Sequence, residues 1–223
     1  MPITPARLNR RLEQLAEFGR TAEGGVTRLT FSPEYMAAAE VVRGWMGEAG
    51  LTARVDPAGN LIGRREGGEP GLPALVLGSH IDTVINGGRY DGALGVLAAV
   101  EVAQALHEDG ARLRRPLEVI AFMGEEGTRW GANMLGSRLM LGLVPEAYLH
   151  ERTDRQGVTI AQALSAAGLA PARICDAVRA PGEFHAYVEL HIEQGAVLES
   201  LDAAAGAVTG IAGPLFLSLR LEG

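Results

Sequence analysis

Two short apolar runs, Leu75–Leu77 and Leu117–Met123, flank a stretch, Ala93–His107, that is apolar almost all round. On a helix its polar positions Glu101, Gln104 and Glu108 fall on one narrow face, so nearly every side of it must be covered. A strand, a buried helix and a second strand form a βαβ unit, and the natural consequence is a parallel pair of strands in one sheet. Leu51–Val55 and Asn60–Gly63 read as two more short strands, joined by the turn Asp56-Pro57-Ala58-Gly59. The expected fold class is therefore α/β, with a mixed, mainly parallel sheet flanked by helices.

Other elements can be placed around this unit. Leu8, Leu12 and Leu15 recur at helical spacing and predict a helix from Pro5 to Phe18. Ser32 followed by Pro33 is a capping hydroxyl before a first-turn proline. The buried stripe of that helix is Met36, Ala39, Val42, Trp45 and Met46, and Gly50 ends it. Further helices are predicted over Ala132–Leu139 and Thr159–Ala167, and a third central strand over Tyr187–Ile192. In Pro214–Gly223, leucines alternate with Phe216, Ser218, Arg220 and Glu222, the period of a half-buried strand. It is expected to pair with Ala207–Ile211 as a hairpin, with a leucine face that needs a cover.

Composition narrows the function classes. With 20 basic and 27 acidic residues the net charge is −7, and no basic cluster offers a nucleic-acid footprint. One cysteine, Cys175, excludes an internal disulfide and reads as a packing residue. Arg7, Arg10, Arg11 and Glu13 interrupt the apolar stretch that a signal peptide needs, and the longest apolar run, around Ala93–Val100, is too short to span a bilayer. A cytoplasmic protein with no nucleic-acid or membrane partner is expected. Glycine, 30 of 223 residues, is about twice as frequent as usual and has no collagen period, so it implies tight turns and close backbone approaches.

The chemistry-bearing residues gather where an α/β sheet binds ligands, beyond the carboxyl ends of its strands. His80 and Asp82 follow the first strand of the βαβ unit. Asp91 lies in the glycine-rich loop before the buried helix, Glu125 and Glu126 end the second strand, and His191 lies near the end of the third. Imidazoles with carboxylates suit zinc, with manganese, cobalt or nickel as alternatives. Gly124 and Gly127 bracket the glutamates and let the chain turn, so both carboxylates can reach one site. His107 reads as a surface residue, and His150 and His185 as loop residues without a role. Arg129 could orient a carboxylate or form a structural ion pair. No nucleophile-elbow, Walker or dinucleotide pattern occurs.

The strings GSHIDTV (78–84), GGRYDG (87–92), GEEGTRW (124–130) and HIEQG (191–195) resemble the dinuclear metallohydrolases of the aminoacylase and carboxypeptidase G superfamily. Within it they are similar to the amidase branch: allantoate amidohydrolases, N-carbamoyl-L-amino acid hydrolases and β-ureidopropionases. GGVTRLTFS (24–32) and DPAGNLIGR (56–64) match as well, so the resemblance covers nearly the whole chain.

That resemblance implies two divalent metal ions. His80, Asp91 and His191 would hold one, with Asp91 bridging to a second bound by Glu126. Asp82 would accept the other imidazole N–H of His80 and fix its tautomer. Glu125 would be the general base that takes a proton from the attacking water and returns it to the leaving nitrogen. Gln194 would contact substrate. A histidine at 191, where peptidase branches tend to place a carboxylate, points to carbamoyl or ureido substrates that release ammonia and carbon dioxide.

The family's members are close to twice this length, and no histidine follows His191 to complete the second metal's ligands. The resemblance therefore implies that residues 1–206 are the N-terminal part of a catalytic domain. Residues 207–223 would begin a lid that also makes a homodimer interface, and the chain alone is expected to have little or no activity. The alternatives are an aminoacylase or dipeptidase of the same superfamily, or a non-catalytic metal-binding module.

Overall fold

β3 (Ala74–His80), α3 (Ala93–Glu108) and β4 (Leu117–Phe122) form the expected βαβ unit in a computed structural model that describes residues 3–213 and Leu219. β3 and β4 pair in parallel from Leu75 opposite Leu117 to His80 opposite Phe122. This register puts the histidine abreast of the residue that precedes Met123 and the glutamate turn.

β1 (Thr52–Val55) and β2 (Leu61–Arg65) make the expected antiparallel hairpin, and β2 lies antiparallel to β4. β5 (Phe184–Val188) lies parallel to β3. The order is β1-β2-β4-β3-β5. The sheet is mixed, with two parallel and two antiparallel pairings among the described residues.

One strand differs from its expectation. The segment read as a central strand over Tyr187–Ile192 starts earlier, stops at Val188 and forms an edge, paired with β3 alone among the described residues. Past Val188 the chain leaves the ladder and runs close against α3. A Cβ on Gly95 of α3 would stand 2.4 Å from the Leu190 carbonyl oxygen.

Period-two alternation assigns the two faces. Leu117, Val119 and Ala121 of β4 join a core with α1 (Pro5–Ala16), α2 (Pro33–Glu48) and α3. Ile120 packs with Ile62, Val76 and Met140 on the opposite face. Burying each Leu, Val, Ile or Met side chain among them contributes about 1.5–3 kcal/mol. Ser32 caps α2 as its sequence implies, accepting the Tyr35 N–H at 3.2 Å.

α4 (Leu135–Met140) starts three residues later than expected, because Met134 adopts a left-handed φ of 51° that a helix cannot include. Beyond it α5 (Glu146–Glu151), α6 (Ile160–Ala166) and a 3-10 turn (Pro171–Ala177) share a smaller core with Trp130. Thr159 and Gln162 close a capping box at the start of α6. The 3-10 turn buries Ile174 and Ala177 and leaves Cys175 exposed, so the cysteine is not the packing residue expected of it.

The chain divides into two units between Ile192 and Glu193. In the second, the Glu193 carboxylate accepts the N–H groups of Val197 (2.8 Å) and Leu198 (2.9 Å) and caps the short helix α7 (Val197–Ser200). Residues 207–213 form no strand. Of the segment expected to pair with them, 214–218 and 220–223 lie outside the described residues.

Candidate metal centre

His80 ends β3 and is 1% exposed. Its Nδ1 lies 2.9 Å from the main-chain oxygen of Asp82. A carbonyl can only accept, so Nδ1 carries the proton and the lone pair sits on Nε2. That nitrogen faces Glu125 Oε2 at 3.6 Å and Asp91 Oδ1 at 3.9 Å. His191 repeats the device, with Nδ1 2.7 Å from the Ile192 carbonyl and Nε2 3.1 Å from the same Asp91 oxygen. One potential ligand atom from each of His80, Asp91 and His191 lies within 4.8 Å of the others.

Gly92, next to Asp91, has to be glycine here. Its φ is +61°, and a Cβ would lie 2.4 Å from His80 Nε2, in the space a ligand must enter.

Asp82 behaves differently from its expectation. Its carboxylate Oδ1 is 3.7 Å from His80 Nδ1, so the nearer acceptor is its own backbone carbonyl. The carboxylate instead accepts the N–H of Glu125 at 3.2 Å and of Glu126 at 3.1 Å. Those donors are exposed by the turn between Gly124 (φ +65°) and Gly127 (φ +67°), which no ladder partner satisfies. One residue thereby sets the His80 tautomer with its main chain and the glutamate pair with its side chain.

Electrostatics mark the cluster as cation-seeking. Burial pushes the Glu126 carboxyl up to about 7, with Asp91, Glu125 and Asp82 adding repulsion and His80 opposing it. The Glu125 carboxyl is also raised, first by burial and then by Asp82 and Glu189, against the pull of His80 and His191. Crowded carboxylates beside two imidazoles with inward lone pairs are a donor set for a divalent cation.

Supports that the sequence did not reveal surround this set. Asn60, fully buried at the start of β2, accepts the Met123 N–H at 2.9 Å, donates to the Gly136 carbonyl at 3.2 Å and bonds twice to Asp56. It fastens the chain immediately before the glutamate turn. Glu189 receives Ser79 Oγ–H at 2.5 Å and the Tyr187 hydroxyl at 2.7 Å, tying the His191 segment to β3. The only signal for either was a polar residue beside an apolar run. Arg129 resolves to the structural ion pair, bonded to Asp154 at 2.9 Å and to the Thr30 carbonyl at 2.8 Å. His107 is exposed, and neither His150 nor His185 joins the cluster. Gln194 belongs to the second unit, where its φ is +56°.

Residues 76–209, which contain this whole set, match the sequence pattern of peptidase family M20/M25/M40. The chain belongs to this family. It is 49% identical over 221 residues to an N-carbamoyl-L-amino acid amidohydrolase of Geobacillus stearothermophilus, covering 99% of this chain and 54% of that protein. Similarity to an allantoate amidohydrolase of Bacillus subtilis is 41% over 212 residues, covering 95% and 51%. A crystal structure of a hydantoinase/carbamoylase family amidase from Burkholderia ambifaria superposes with a TM-score of 0.81 at 40% identity, covering 90% of this chain and 48% of that one. The M20 chain thus spans about half the length of the relatives it matches. No helix among its described residues is long and apolar enough to cross a membrane.

Proposed function

We propose that this M20 chain carries the metal ligands and the general base of a hydrolase of linear C–N bonds outside peptides, of the N-carbamoyl-L-amino acid or allantoate type. The observation that carries the reading is the convergence of His80, Asp91 and His191 with Glu125 3.6 Å from the inward His80 nitrogen. His80, Asp91 and His191 hold one cation. Asp91 and Glu126 hold part of a second site. Zinc fits this donor set best, with manganese, cobalt and nickel behind it.

Divalent cations at these residues supply a lowered water pKa and a polarised scissile carbonyl. The protein's own contribution is a poised proton carrier. Glu125 takes a proton from the attacking water and returns it to the leaving nitrogen, for which a raised pKa is suited. Asp82 aims Glu125 through its backbone N–H. Gln194 binds substrate, and residues 207–223 begin a lid through which the protein dimerises. The protein works in the cytoplasm, on a small ureido or carbamoyl substrate. The resemblance of the four motifs and the names of the relatives support these last assignments.

The test is zinc binding by the metal-stripped chain, followed by ammonia release from N-carbamoyl-L-amino acids and allantoate. The unaltered chain and Glu125→Gln should bind zinc, whereas His80→Ala should not. Because residues 3–213 offer three ligands to one cation and two to the other, turnover should be low. Whatever turnover exists should fall at least about 100-fold in Glu125→Gln. A chain that binds no zinc, or a Glu125→Gln variant as active as its parent, overturns the reading. Faster release from N-acyl amino acids than from carbamoyl ones would move it to the aminoacylases.

A further inference from the structure

Arg28 lies in the motif GGVTRLTFS, is 1% exposed, and has no part in the chemistry above. A buried guanidinium normally sits on a carboxylate. Here, among the described residues, its bonds run to main-chain carbonyls: Nε to Ile81 at 2.6 Å, and Nη1 to Leu15 at 2.9 Å and Phe18 at 3.0 Å. Its own main chain pairs with Thr83 in both directions. The Arg28 N–H donates to Thr83 Oγ1 at 2.9 Å, and the Thr83 N–H donates to the Arg28 carbonyl at 3.1 Å. Thr83 Oγ1 in turn donates to the Val26 carbonyl at 3.1 Å.

Ile81 and Thr83 are the neighbours of Asp82, so one residue grips the backbone on both sides of it. Burial pushes the Arg28 guanidinium down to about 10, and the Asp82 carboxylate is the foremost charge opposing that shift. Asp82 is itself 2% exposed. Asp82 then reaches His80 with its carbonyl and the glutamate turn with its carboxylate.

We propose that Arg28 is a positioning residue of the metal centre. It fixes the backbone of Ile81–Thr83 and, through Asp82, both the tautomer of His80 and the aim of Glu125 and Glu126. An arginine is required because carbonyls in different directions must be met by one planar fork, which a lysine cannot reproduce. This inference rests on the metal reading given above.

A bland alternative is that Arg28 only ties down the end of α1, through Leu15 and Phe18. Arg11 separates the two roles. It is 3% exposed and fastens α1 to Glu48 at 2.8 Å and Gln104 at 3.3 Å, away from residues 81–83. The experiment is zinc affinity by chelator competition, together with the visible spectrum of the cobalt(II)-loaded chain. Both are recorded below the melting temperature of each variant.

Arg28→Met should weaken zinc about 10–100-fold and alter the cobalt bands, and Arg28→Lys should fall in between. Arg11→Met should bind zinc like the unaltered chain despite its lower melting temperature. Arg28→Met and Arg28→Lys binding as tightly as the unaltered chain overturns the proposal, as does an equal loss in Arg11→Met. If Arg28→Met fails to fold, Arg28→Lys alone decides between these results. An unaltered chain that binds no zinc overturns the metal reading and this one with it, whereas undiminished binding in the Arg28 variants overturns this one only.

Discussion

Among the described residues, His80 ends a strand paired on both sides, whereas His191 follows a strand paired on one. Their local chemistry is the same, a Nδ1 proton on a main-chain carbonyl and a Nε2 turned to Asp91. Their surroundings are not. His80 is 1% exposed and rests on a segment gripped by Asp82, Thr83 and Arg28, while His191 is 33% exposed and is moored chiefly by Glu189. A shared hydrogen-bond device fixes the tautomer of both rings, but only burial and a second neighbouring strand fix the place of one. The centre of the sheet holds a pre-organised candidate ligand, and the edge holds an adaptable one.

Removing each ring should expose this difference most strongly. Both His80→Ala and His191→Ala should lose the metal. In urea titrations without metal, His80→Ala should cost about 2–4 kcal/mol, from the cavity and the stranded Asp82 carbonyl. His191→Ala should cost less than about 0.5 kcal/mol. Equal losses would break the comparison.

The supports should rank the same way. Asp82→Ala strands two backbone N–H groups and should destabilise by about 2 kcal/mol, while Glu189→Gln, which keeps one of its two acceptors, should cost about 1 kcal/mol or less. Native-state hydrogen exchange should then find the β5 amides opening at least about tenfold faster than those of β3. Matching rates in the two strands would show that the edge is as firm as the centre.

The smallest effect concerns acid. On the firm side, Glu101 is buried against Arg7 at 2.7 Å. Burial alone would raise its carboxyl, but Arg7, the Thr4 N–H and Arg11 outweigh burial and hold it below the ordinary range. A carboxyl depressed in the folded state stabilises above its unfolded value of about 4.3. That contribution fades as pH falls through the lower folded value. Stability measured from pH 6 down to pH 3 should therefore drop on this account only below about 4.3, and Glu101→Gln should flatten the drop without changing β5 exchange. An unchanged acid limb in the variant would assign the drop to other groups.

The βαβ unit was legible because an all-round apolar helix between apolar runs permits little else, and the candidate ligands were legible because their motifs stand at the ends of strands or just before the buried helix. What was hidden depends on partners distant in sequence. Nothing in Asp82 itself says that its carboxylate will serve the N–H groups of residues 125 and 126 rather than the nearby imidazole. Asn60 reads only as the first residue of a short strand until β4 is laid beside β2 and brings the Met123 N–H to it. Arg28 has no readable role until the Ile81 carbonyl is brought to it. Glu193, beside His191 in the HIEQG string, caps a helix, so adjacency in a motif did not mean a shared task. The late start of α4 follows from a left-handed Met134, which hydrophobic periodicity does not register.

The pairing of β5 with β3 has a consequence in time. His80 and Asp91 are near neighbours along the chain, but Ser79 and Glu189, which bring His191 in, are separated by 110 residues. Contacts of such long range form late, because the intervening chain must first surrender its loop entropy. Binding competence at the three-residue cluster should accordingly be the last property gained on refolding. A metal-sensitive dye added during refolding would then act as a clock for the completed sheet.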